Sequence, residues 1–153
     1  MTDSDADLQA AISVVCQFTS EMNAWENRMY YRSRIENDEF VSDSAAEALA
    51  GTTYEGVLGE YHPIFAKHCT SRTRKYGGAP NGWSKGGSYA GIEPSTILSA
   101  ERVKPSRIEV VAAGGLFPDS QFLFVLHRKG DAWLIDSAKW RAGDSGEWDT
   151  HHL

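Results

Sequence analysis

Apolar residues recur at steps of three and four along the first part of the chain. Leu8, Ile12, Val15, Thr19, Met22, Trp25 and Met29 fall on one face of a helix, predicted over about residues 7–33. Gln17, Glu21 and Arg28 take the opposite face, and Ser4 with Asp7 resembles a capping box in which Asp replaces Glu. A polar break at 35–38 precedes a short Ala-rich helix, 44–50, capped by Ser42 or Asp43 and ended by Gly51. Residues 53–67 read as two helical pieces, because Gly56, Gly59 and Pro63 interrupt them and Pro63 suits the start of a fresh turn.

The period then changes. Residues 76–91 hold six glycines with Pro80 and Asn81, which is a loop carrying Tyr76, Trp83 and Tyr89. Those aromatics are either displayed for recognition or folded back over the core, and the pattern leaves both open. Strands follow at 96–103, ended by Pro105, and at 107–113, where Ile108, Val110 and Ala112 face one way. Residues 121–127 are apolar on both faces, the mark of a central strand covered on both sides. Arg128 to Asp131 make a tight hairpin into a last strand, 132–140. Helices followed by a strand meander predict an α+β fold, N-terminal helices packed on a curved antiparallel sheet that leaves a cone with an open mouth. The chain reads as a single domain over 1–153, with 1–6 and 142–153 as flexible tails and His151 and His152 in the second.

With 41% apolar and 24% charged residues, the composition is that of a globular protein. No apolar run approaches the roughly 18–20 residues of a membrane helix, and the acidic start is unlike a signal peptide, so a cytoplasmic protein is expected. Cys16 and Cys69 are too few for a disulfide framework or zinc ribbon and are expected as free thiols, Cys16 as core filler. Net charge is −6, divided as −9 over residues 1–60, +5 over 61–92 and −2 over 93–153. An acidic body argues against direct nucleic-acid binding, where phosphate contacts dominate affinity.

Catalytic signatures are few. Gly77 and Gly82 have P-loop spacing, but Trp83 occupies the place of the phosphate-binding lysine and no apolar strand precedes it. There is no Gly-x-Ser-x-Gly elbow. His62, His68 and Cys69 fit no standard metal spacing, and nothing points to a metal or organic cofactor. Arg72 and Arg74 near Cys69 favour its thiolate, but a nucleophile also needs a base and an oxyanion site. The strongest acid–base candidate is Asp136, in an apolar strand where desolvation raises a carboxyl pKa, with Tyr61 or Tyr54 as a donor in the same cavity. The structural alternative pairs Asp136 with Arg72 or Lys139.

Two segments carry a family likeness: His62 to Gly77, HPIFAKHCTSRTRKYG, and Phe122 to Trp140, FLFVLHRKGDAWLIDSAKW. With Trp25-Glu26 upstream and the 107–111 strand between them, they resemble the immunity proteins of bacterial polymorphic toxin systems that have the nuclear transport factor two-like fold. The likeness runs from the first helix to Trp140. The closing hairpin is shared by many proteins of this cone fold, whereas residues 69–77 look particular to the immunity group. The resemblance implies a cytoplasmic protein encoded beside a secreted toxin, which it binds and neutralises, and no enzymatic activity. Arg72, Arg74, Lys75, Tyr76, Trp83 and Tyr89 offer arginine and aromatic anchors for that toxin. The acidic helical half offers a second surface, suited to a basic toxin. The alternative is a small-ligand binder or an isomerase or dehydratase that uses a cavity lined by Trp25, Tyr61, His68, Trp133 and Asp136. Trp25 and Trp133 filling that cavity would remove the alternative. A homodimer through the outer sheet face is compatible with either.

Overall fold

The computed structural model describes residues 3–72, 83–143, 146–151 and 153. Four helices, α1 (Asp3–Glu36), α2 (Asp43–Ala48), α3 (Tyr54–Gly59) and α4 (Tyr61–His68), precede five strands. These are β1 (Ile97–Lys104), β2 (Arg107–Ala113), β3 (Ser120–Lys129), β4 (Ala132–Ala142) and β5 (Asp149–His151). The strands form one antiparallel sheet in the order β1-β2-β3-β4-β5. This is the α+β arrangement the patterning predicts.

At 34 residues α1 is about 50 Å long, whereas the 11 residues of β4 span only about 36 Å. The helix therefore overshoots the sheet, and α2, α3 and α4 pack against it. Its buried stripe is Ala11, Val15, Phe18, Met22, Trp25 and Met29. The face is turned slightly from the predicted one: Leu8 and Ile12 lie at its margin, and Phe18 and Glu26 join it. Thr19 is buried because its hydroxyl donates back to the Val15 carbonyl at 2.8 Å. Glu21 and Arg28 are not on a free solvent face; they flank the stripe and pair with His68 and Glu60.

Ser42 caps α2 and Thr53 caps α3, each accepting a backbone N–H three residues on. The break between α3 and α4 falls at Glu60, and Pro63 sits in the first turn of α4, where its missing N–H costs nothing.

Register lines up the inner sheet residues in rows. Ile108, Leu126 and Ile135 form one, Val110, Phe124 and Ala138 the next, and Ala112, Phe122 and Trp140 the third. β3 is central and buries Phe122, Phe124 and Leu126 on the helix side and Val125 on the other. A register shift between Val125 and Leu126 leaves Asp136 as the extra residue of β4. β1 forms one edge of the sheet, with register shifts near both of its ends.

Two readings of the termini are corrected. α1 begins at Asp3, and Asp7 serves the sheet rather than a cap: it accepts from the Trp133 indole N–H at 3.3 Å and pairs with Arg102. Residues 149–151 are not tail but strand, because the unpaired edge of β4 takes them as a partner. Leu153 is buried beyond them, and the Tyr61 hydroxyl donates to its carbonyl at 3.0 Å.

The described end of the glycine-rich loop, residues 83–91, is held by one face of α1. Asn23 accepts the Tyr89 N–H at 2.9 Å, Glu26 accepts both the N–H and the hydroxyl of Ser88, and Asn27 accepts the Gly86 N–H. Gly87 has φ +96°, and a Cβ there would lie 2.1 Å from the Asn23 side-chain oxygen.

Candidate functional site

The five residues read as lining a cavity do not converge. Trp25 and Tyr61 are buried together, their rings 5.5 Å apart, with the Trp25 indole N–H donating to the Val57 carbonyl at 2.8 Å. Trp133 lies away from them, beneath Arg102 and Arg128 and against Asp7. Both tryptophans are buried as part of the hydrophobic core.

His68 is also buried, edge-on to Phe18, and its Nε2 is paired with Glu21. Burial raises the Glu21 carboxyl pKa, but the hydrogen bond and charge of His68, with help from Lys67, outweigh it and hold the group below its usual value. Asp136 points away from the interior. It accepts from the Thr70 hydroxyl at 2.8 Å and Arg72 Nε at 2.9 Å, and His127 Nδ1 is 3.7 Å away. Burial pushes its pKa up, yet Thr70, His127 and Arg72 together bring it below the ordinary range. The pairing with Arg72 foreseen as the structural alternative is the one present. Among the described residues, no group of three His, Cys, Asp or Glu side chains is placed to hold a metal ion.

Of the expected surface anchors, Arg72, Trp83 and Tyr89 are among the described residues. Arg74, Lys75 and Tyr76 lie outside the described residues. Arg72 is half exposed and committed to Asp136. Trp83 is half-buried, edge-on to Trp25 and Tyr54. Tyr89 is 2% exposed, packed among Phe18, Phe122 and Phe124, and its hydroxyl meets His151 Nε2 at 2.9 Å. Its pKa is pushed well up by burial, so it stays a neutral phenol. Of the two readings of these aromatics, folding back over the core holds for Trp83 and Tyr89. The backbone grip of Asn23, Glu26 and Asn27 is the reason.

The surface instead carries features the sequence reading passed over. Between β2 and β3, Leu116 is 50% and Phe117 65% exposed. Phe117 packs edge-on to half-buried Trp140, with ring centres 6.5 Å apart. On the opposite face of β4 from Trp140, the Arg141 guanidinium lies 4.1 Å over Trp148 and donates to Gln121. The available signal was two large apolar residues set between the turn formers Gly114-Gly115 and Pro118-Asp119. Phe40, 83% exposed, follows α1 in a stretch, residues 35–66, whose sequence holds seven acids and no Lys or Arg. Along the flank of α1, a groove of about 880 Å³ runs between Ile12, Cys16, Gln17 and Glu21 on one side and Ile92 to Pro94 on the other.

Among the described residues no helix is long and apolar enough to cross a membrane. No curated protein and no solved structure matches the chain. Residues 10–152, from the first turns of α1 through β5, match the family model described as NTF2 fold immunity protein. The long helix laid over a curved five-stranded sheet is the fold which that description names. The protein thus belongs to the NTF2 fold immunity protein family.

Proposed function

We propose that this protein is the immunity partner of a bacterial polymorphic toxin: it binds the toxin encoded beside it as a stoichiometric inhibitor and protects the cell that makes both. The observation that carries this reading is the family match over residues 10–152, nearly the whole chain. The packing supports it. The cone interior is occupied by Trp25, Tyr61 and Tyr89, so action through an outer surface suits the molecule better than chemistry in a pocket. An inhibitor of a toxin that acts inside the producing cell belongs in the cytoplasm, which fits the free thiols of Cys16 and Cys69.

The test is capture of the neighbouring toxin domain by this protein, titration calorimetry of the pair, and co-expression of the two in cells. A tight one-to-one complex and restored growth are expected. No complex and no rescue would remove the reading. A second copy of the chain is another partner this fold admits, since Val111, Leu123 and Leu134 lie half-buried on the outer sheet face. A concentration-independent monomer in light scattering removes that assembly without touching the immunity reading.

A further inference from the structure

Resting on the immunity reading, we infer that the toxin docks on the end of the sheet where β2 turns into β3. Phe117 is the central anchor, Leu116 and Trp140 flank it, and carboxylates rim it. The partner this surface fits is a protein face with an apolar recess bordered by Lys and Arg.

The turn 114–119 has no need of large apolar side chains for its own geometry; glycine, proline and Asp supply that. Leu116 and Phe117 are nevertheless placed at its tip, half or more in solvent, while Ile108, Val110, Phe122, Phe124 and Leu126 of the adjoining strands go inside. Exposed apolar surface of this kind on a soluble protein marks a contact site.

The tip is also preformed. The Gly114 N–H donates to Ser120 O at 3.0 Å, Gly115 N–H to Ala90 O at 2.8 Å, Ser120 N–H to Phe117 O at 3.3 Å, and Gly143 N–H to Asp119 O at 2.7 Å. Two of these bonds close the turn on itself, and the other two tie it to the loop before β1 and to the residue that follows β4. Little ordering entropy is then lost when a partner meets it.

Trp140 backs Phe117, so the tip presents paired aromatic surface of the kind found in binding hot spots. Asp119 belongs to the turn, and Asp149 stands opposite Trp140 in the pairing of β4 with β5; both are exposed without an ion pair among the described residues. Glu147 lies two residues before Asp149, so with the positive Arg141 counted the carboxylates still prevail. The rim is therefore net negative and complements a basic partner. Phe40 is more exposed but lacks this support: among the described residues no second aromatic backs it, and beside it Glu39 is already paired with Arg34, which also donates to the Phe40 carbonyl. The groove along α1 mixes Glu21, Lys67 and Glu93 with apolar residues, and nothing in it specifies an occupant.

The experiment is calorimetric and kinetic titration of the full chain with the toxin domain encoded beside it. The proteins compared are wild type, Phe117→Ser, Leu116→Ser, Phe40→Ser and Glu147→Lys, each checked by thermal melting. Phe117→Ser is expected to weaken binding at least about 30-fold and Leu116→Ser about 5- to 10-fold, with Phe40→Ser within about threefold of wild type. Glu147→Lys is expected to slow association several-fold at low salt, with the difference vanishing at high salt. Wild-type binding that survives both Phe117→Ser and Leu116→Ser would overturn this surface while leaving the immunity reading intact, as would selective loss in Phe40→Ser. Failure of the wild type itself to bind would remove the immunity reading, and this surface with it.

Discussion

Glu26 in the middle of α1 grips Ser88 twice, one carboxylate oxygen 2.6 Å from the Ser88 N–H nitrogen and the other 2.6 Å from its hydroxyl. The acid is 3% exposed, and burial pushes its pKa up against the pull of the Ser88 bonds. Truncation in Glu26→Ala strands both Ser88 donors and is expected to cost about 2–4 kcal/mol at neutral pH. A group whose pKa is raised by folding holds its proton more tightly in the native state, so its contribution to stability declines as pH rises from about 4.5 through the raised value. Urea denaturation across pH should therefore show the gap between wild type and Glu26→Ala widest in mild acid and narrowing above it. A gap that widens with pH would contradict the assignment.

Gly87 is expected to be intolerant of any side chain. A Cβ would stand 2.5 Å from the Asn23 Cα and 2.1 Å from its side-chain oxygen, and φ of +96° strains any L residue. Gly87→Ala should destabilise by about 2–4 kcal/mol, read as a lower urea midpoint with unchanged slope. Gly86→Ala, with open space around its Cβ and φ +85°, should cost about 1 kcal/mol.

The carboxyl-terminal residues are expected to matter as packing. Leu153→Ala removes a buried side chain beside Tyr61 and should lower stability by about 2–4 kcal/mol. Deletion of residues 149–153 uncovers Tyr61 and the Tyr89 hydroxyl and should also raise binding of a hydrophobic dye. A truncated protein that melts like wild type would show those contacts to be idle.

Asp136 reports in the opposite pH direction to Glu26. Its pKa is lowered in the native state, so its stabilising effect is complete above the unfolded value of about 4 and is lost as pH falls through the native one. Asp136→Asn should be less stable than wild type at pH 7, and the difference should shrink below about pH 4. A loss of toxin protection in this variant at neutral pH, without loss of stability, would mark the Thr70–Arg72–Asp136 cluster as a contact instead.

How much of this was legible in the sequence follows from how local each signal is. The three-and-four spacing of Val15, Met22, Trp25 and Met29 is a property of consecutive turns, and it placed α1 correctly. Alternation in 107–113 and the Gly130-Asp131 turn likewise gave β2 and the β3–β4 hairpin. The fate of Tyr89 depends on Asn23, Glu26 and Asn27, more than fifty residues earlier, and no local pattern encodes that contact. Strand β5 is three residues long and exists because β4 leaves an edge open, so its own composition said little. Asp136 was read as a cavity residue because it sits between Ile135 and Ser137; the register shift that turns it outward lies in the pairing of two strands, not in either one. The Leu116-Phe117 tip was visible as residues but hidden by its turn formers, which explain the backbone and divert attention from the side chains.

The irregular edge strand β1 bears on storage. A straight, apolar edge is a template onto which another chain can add, and from there a fibre can grow. β1 instead breaks its register near both ends and sets Glu101, Arg102 and Lys104 along its length. The opposite edge, β5, is three residues long. Neither rim offers a long regular run on which copies can stack, so growth of aggregates through the sheet edges is disfavoured as the protein is concentrated.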